Sequence, residues 1–147
     1  MPADLGHQFD LRLKAAAVRL NAITEERAAE PAHASGWLRK EELGHLLDSA
    51  ANNHQRFVRA ALDGSYVGPG YAQEGWVKLH GYAEMPWAEL LTEWRQRNAV
   101  LSRIVHRIDE SALSATCKVG DYEPMTLQFL IEDYLRHLDH HVAQITG

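Results

Sequence analysis

From Met125 to Ile145 the positions Leu127, Leu130, Ile131, Tyr134, Leu138, His141 and Ile145 recur every three or four residues. That period predicts a helix with one buried face. Thr126 stands where an N-cap is expected, just after Pro124, and Gly147 where the helix stops. The same period appears in three earlier stretches. Phe9, Leu13, Ala16, Leu20 and Ile23 predict a first helix from about Leu5 to Arg27, and Pro31 breaks the chain between Glu30 and Gly36. Leu43, Leu46, Leu47, Ala50, His54, Phe57 and Ala61 mark a second helix from near Leu38 to about Leu62, with Ser35 as a candidate cap. Trp87, Leu90, Leu91, Trp94, Asn98, Leu101, Val105 and Ile108 mark a third, opened by Pro86.

Between the second and third stripes, Asp63 to Met85 is rich in glycine and aromatic residues, including Gly68-Pro69-Gly70. So many turn residues predict an irregular loop packed on the body by its aromatics. Ser111 to Glu123 connects to the last helix, with a turn at Gly120-Asp121. Four amphipathic helices without convincing strands predict an all-α four-helix bundle.

The 147 residues suit one domain, residues 1–147, with a real core. Net charge is −5 and the 15 basic residues are scattered, which argues against a nucleic-acid partner. A single cysteine, Cys117, excludes an intramolecular disulfide and suits a reducing compartment. No secretory pattern and no apolar run near the roughly 20 residues of a membrane span are present. A soluble, cytoplasmic protein is expected. Nine histidines among 147 residues are far above the usual share and point toward a metal.

Phosphate-binding glycine loops, a nucleophile elbow and paired cysteines are all absent. A di-iron bundle needs two helical ExxH motifs, and the helices offer one, Glu42/His45. Cys117 has no neighbour in sequence that would activate it. What remains is His137 and His141, four residues apart, whose rings project from one side of the last helix. Leu138 occupies the place of the catalytic glutamate in HExxH, so the motif is not that of the zincins. A third ligand must come from another helix. His54 lies on the apolar stripe of the second helix. His45 lies roughly 160° from that stripe, sharing a face with Ser49, Asn52 and Arg56. Periodicity alone favours His54 and leaves His45 as a solvated residue.

The segments GWLRKEELGHLLDSAANNHQRF, GYAEMPWAELLTEWRQRNAVL and DYLRHLDHHVAQI resemble the DinB/YfiT-like family, in which a Trp precedes a helix with a Gly-His-Leu core. The likeness runs from Trp37 to Ile145. It implies a four-helix bundle that binds one divalent metal through three histidines, which fall here on His45, His137 and His141 and leave His54 and His140 outside. Zinc or nickel is the expected ion, with iron and manganese as alternatives. The family is described as metal-dependent hydrolases, with some relatives that transfer a low-molecular-weight thiol, so a small-molecule substrate, such as a thiol, is implied. The alternative is a non-catalytic metal-binding or stress-response bundle acting as a dimeric scaffold. A homodimer is expected under either reading, since four tryptophans and the first helix could feed an interface. Leu38 departs from the Ser or Thr that often follows the Trp, which touches the helix cap and not the metal site.

The implied ligands constrain the topology. His45 lies about 9 Å along its helix, and His137 and His141 roughly 18–24 Å along theirs, so the two helices must be antiparallel to bring them level. The 23 residues of Asp63–Met85 can traverse a bundle about 30 Å long. The expected order is therefore up-down-down-up, with a long crossover loop between the second and third helices. Asp133 and Asp48 are candidates to orient the rings. Asn98, level with Asn52 and Asn53, suggests a buried amide layer.

Overall fold

The computed structural model describes residues 2–32 and 36–147. Four long helices, α1 (Pro2–Asn21), α3 (Arg39–Asp63), α5 (Trp87–Arg107) and α6 (Leu127–Thr146), carry the core. A short α2 (Glu25–Ala28) follows α1, and α4 (Gln73–His80) lies in the α3–α5 connection. Ser35, the expected cap of α3, lies outside the described residues.

The predicted stripes are buried with few exceptions. Phe9, Leu20, Leu43, Phe57, Leu90, Leu127, Ile131 and Ile145 meet in one core. Tyr134 links three helices: its ring stacks on Phe9 at 5.8 Å, and its hydroxyl donates to Asn98 Oδ1 at 2.5 Å. Asn98 Nδ2 donates to Trp94 O and Asn53 Nδ2 to Ser49 O, so the amides bond along their own helices and build no shared layer.

Three short strands reveal the direction of the helices. β1 (Ser65–Gly68) follows α3 and pairs in parallel with β2 (Thr116–Val119), which follows α5. α3 and α5 therefore end at the same pole. β2 pairs antiparallel with β3 (Met125–Thr126), which leads directly into α6 and sends it back. Contacts of α1 with α6, Arg12–Asp139 and Arg19–Thr146, advance together in sequence, so these two run parallel. The order is up-down-down-up, and the residue 64–86 connection returns along the bundle, as expected.

Three local expectations are corrected. The helix read as Leu5 to Arg27 breaks after Asn21, because Thr24 Oγ1 accepts the Arg27 N–H at 3.1 Å and starts α2 afresh. The strands leave little trace in the sequence because they span four, four and two residues and β1 finds β2 about 50 positions away. The crossover is also more regular than its glycines suggest, since it holds β1, α4 and a 3₁₀ turn at Tyr82–Glu84.

At the start of α3, Glu41 accepts the Leu38 N–H at 3.0 Å, half of a capping box whose other half leucine cannot supply. Glu25 reaches across to accept the Trp87 N–H at 2.8 Å, which anchors the first turn of α5. In α3, Gly44 has a packing reason: a Cβ there would lie 2.0 Å from Tyr82 Cδ2. Tyr82 cannot yield easily, since it is buried and its hydroxyl donates to Asp48 at 2.6 Å. Gly44→Ala is expected to destabilise by about 1–3 kcal/mol, the overpacking outweighing the roughly 1 kcal/mol of helix propensity gained. A urea titration with an unchanged or higher midpoint would refute this.

Candidate metal centre

On α3 the polar face, not only the apolar stripe, is covered. Glu42, His45, Asp48 and Ser49 are all 3% exposed or less, and Asn53 and Arg56 are also buried. This cover separates His45 from His54. His45 is 1% exposed and faces α6, whereas His54 is exposed and lies beside Arg97 and Val100 of α5. Although His54 continues the apolar stripe, the bundle closes over the other side of α3 at the level of His45.

His45, His137 and His141 each offer a ring nitrogen, and these atoms all lie within 4.8 Å of one another. His45 Nε2 faces His137 Nε2 at 3.1 Å. Ring centroids are 4.9 Å apart for His45–His137, 4.6 Å for His45–His141 and 4.4 Å for His137–His141. Trp37 tilts against His45 at 5.1 Å, which explains the tryptophan before this helix. His140 is exposed; its ring touches that of His141 at 5.0 Å but does not join the cluster.

His141 Nδ1 lies 2.7 Å from Glu42 Oε1, and Glu42 is fully buried. A carboxylate can only accept, so Nδ1 carries the hydrogen and the Nε2 lone pair is left for a ligand. The expected orienting groups do not take this role. Asp48 accepts from Tyr82 and lies 3.2 Å from His80, while Asp133 is exposed and paired with Arg136 at 3.2 Å. Along the sequence Glu42 stands out only as part of an ExxH motif. Its partner is 99 residues away, which no local pattern encodes.

Burial holds His45 neutral, pushing its pKa down to about 3, and the neighbouring imidazoles His141 and His137 add to the effect. His137 is lowered to about 4, again chiefly by desolvation. Two rings that stay neutral in weak acid, with nitrogens facing one another, form a poor proton site and a good cation site. Two ligands on a zinc-like ion with bonds of roughly 2.0–2.1 Å lie about 2.9–3.4 Å apart for right-angled to tetrahedral geometry. The His45–His137 separation falls in that range. His45 Nδ1 is buried without a partner among the described residues.

A family model for the DinB superfamily matches residues 8–145. The chain belongs to the DinB superfamily. Among solved structures it is similar to YfiT from Bacillus subtilis, described as a probable metal-dependent hydrolase with an unusual four-helix bundle topology. The TM-score is 0.84 at 19% identity, over 96% of this chain and 83% of that one. It is also similar to a mycothiol-dependent maleylpyruvate isomerase, with a TM-score of 0.84 at 13% identity, and to a histidine-to-alanine mutant of that isomerase, at 0.82 and 10%. This chain is covered completely in both but spans 61% of the isomerase's length. No curated protein matches the chain. At these identities the solved structures establish the bundle and its topology. No helix among the described residues is long and apolar enough to cross a membrane.

Proposed function

We propose that this DinB-superfamily chain binds one divalent metal ion through His45, His137 and His141 and acts on a small-molecule substrate as a metal-dependent hydrolase or thiol transferase. The observation that carries the reading is the convergence of three imidazole nitrogens within 4.8 Å, with His45 standing 92 positions before His137 in sequence. Three imidazole ligands would leave coordination positions open, the arrangement of catalytic and not of closed structural sites. Such an ion supplies Lewis acidity, lowering the pKa of a water or thiol and polarising a carbonyl. Zinc and nickel suit the imidazoles best, with iron and manganese behind them. His137 also lines a cleft of about 310 Å³ between α3, α6 and the crossover, which gives a substrate a route to the cluster. Glu42 fixes the tautomer and direction of His141, and Trp37 backs His45.

The descriptions of the two structural relatives support the choice of reaction classes. Metal analysis of protein purified without a histidine tag tests the reading, with one equivalent per chain expected. Protein that neither retains nor takes up a divalent ion would sink it. Glu42→Gln keeps the shape but removes the charge behind His141. It should weaken metal binding by about 10–100-fold with the fold retained, measured by chelator competition. The homodimer belongs to the same proposal. Its supporting surface is the outer face of α1, where Leu11 and Val18 are exposed, because Trp87 and Trp94 are buried in the core. Sedimentation of the untagged protein tests it, and a monomer would exclude it.

A further inference from the structure

The cleft beside His137 contains a cation that its own structure does not neutralise. Arg56 is 8% exposed. Among the described residues no carboxylate forms an ion pair with it. Its polar contact is one long hydrogen bond, from Nη2 to the Pro69 carbonyl at 3.4 Å, and its guanidinium lies 5.9 Å from the Tyr71 ring centroid. A guanidinium carries five donors, and buried arginine is ordinarily paired, since an uncompensated buried charge is costly. The acid on the cleft wall, Asp133, is exposed and engaged by Arg136. The neutral polar groups nearby are suited to an anion as well. Tyr71 keeps its proton, its pKa pushed up to about 12 by burial, and Ser49 and Asn53 line the same wall.

The cleft has two chemically distinct ends. Because α3 and α6 are antiparallel, with Glu42 opposite His141 and His45 opposite His137, the Arg56 end of the cleft lies toward the start of α6, where Leu130 lines the wall, and the other end lies at His137. Seven residues of helix separate Leu130 from His137 on one wall and Ser49 from Arg56 on the other, roughly 10 Å. We propose that the cleft binds a small organic anion whose carboxylate is held by Arg56, with the other end of the ligand directed at the three-histidine cluster. The fork of a guanidinium fits a carboxylate in two parallel hydrogen bonds, which sets the ligand's direction as well as its affinity. The metal end of this arrangement rests on the function proposed above; the Arg56 end does not.

The test uses adipate, which is close to the length of the cleft, with adipamide as its uncharged counterpart. Both are titrated into metal-free and metal-loaded protein by calorimetry. Adipate should bind both forms and adipamide neither. Arg56→Met should weaken adipate at least tenfold in both forms, and Arg56→Lys should fall between. Metal content and the urea midpoint of each variant are measured alongside, and Arg56→Gln replaces the methionine variant if that does not fold. Equal adipate affinity in wild type and the neutral variants would overturn the proposal. So would equal binding of adipamide, or the absence of binding by adipate, glutarate and succinate alike at about 10 mM, a concentration that detects even millimolar affinity. Anion binding through Arg56 in a protein that takes up no metal would refute the metal site and leave the anion site standing. Metal uptake without anion binding would do the reverse.

Discussion

His137→Ala is expected to yield a folded protein that holds almost no metal. Two of the three proposed ligands come from one turn of α6, and the third, His45, crosses from α3. Removing His137 leaves two imidazoles on adjacent helices and a broken triad, too few to retain a divalent ion through dialysis. The mutation opens space at the wall of a solvent-reached cleft, so the loss of stability should be about 1 kcal/mol, typical of a partly exposed position. His140→Ala should keep the full equivalent, because that ring lies outside the cluster. Elemental analysis and urea titration of both variants separate the outcomes. Should both retain one equivalent, the triad is wrong. If His137→Ala costs the roughly 2–5 kcal/mol of a core deletion, the histidines hold the fold together and the catalytic reading weakens.

Acid is expected to destabilise the metal-free protein well before it protonates His45 and His137. In the unfolded chain His45 and His137 take up protons near pH 6.5, but in the folded protein they resist until about 3 and about 4. Between these limits the unfolded state binds more protons, so stability falls as pH drops below about 6.5 and levels off only below the folded values. Moving metal-free protein from pH 7.5 to 5 should lower its melting temperature by on the order of 10 °C. His45→Asn/His137→Asn should flatten that dependence. From unperturbed histidine pKa values, metal release would be expected to centre near pH 6. Burial moves it lower: the ion should stay at pH 5.5 and leave between about 4 and 5, together with unfolding. Full release at pH 6 from folded protein would contradict a desolvated His45–His137 pair.

Much of the bundle was legible because helix periodicity is local. The stripes on α5 and α6 name most of the residues that are buried, from Trp87 to Ile108 and from Leu127 to Ile145, although Leu135 and Val142 join the core of α6 and His141 is only half-buried. The spacing of His137 and His141 puts both rings on one side of α6 whatever surrounds them. The up-down-down-up order also followed from the sequence, but only through the family resemblance that selects His45 and a crossover long enough to turn back.

The tertiary structure decided what depends on the far side of a contact. Periodicity identifies the apolar face of α3, but it cannot say that α6 and the crossover will also cover the polar face, burying Glu42, His45 and Arg56 while leaving His54 in solvent. Glu42 against His141, Asp48 against Tyr82 and β1 against β2 are pairings between distant segments. The sequence by itself determined four amphipathic helices and one pair of aligned histidines, because those are set by residues within a turn of one another. The choice of partners for the polar groups was left to the packing, where a buried charge or imidazole must find whatever the neighbouring helix presents.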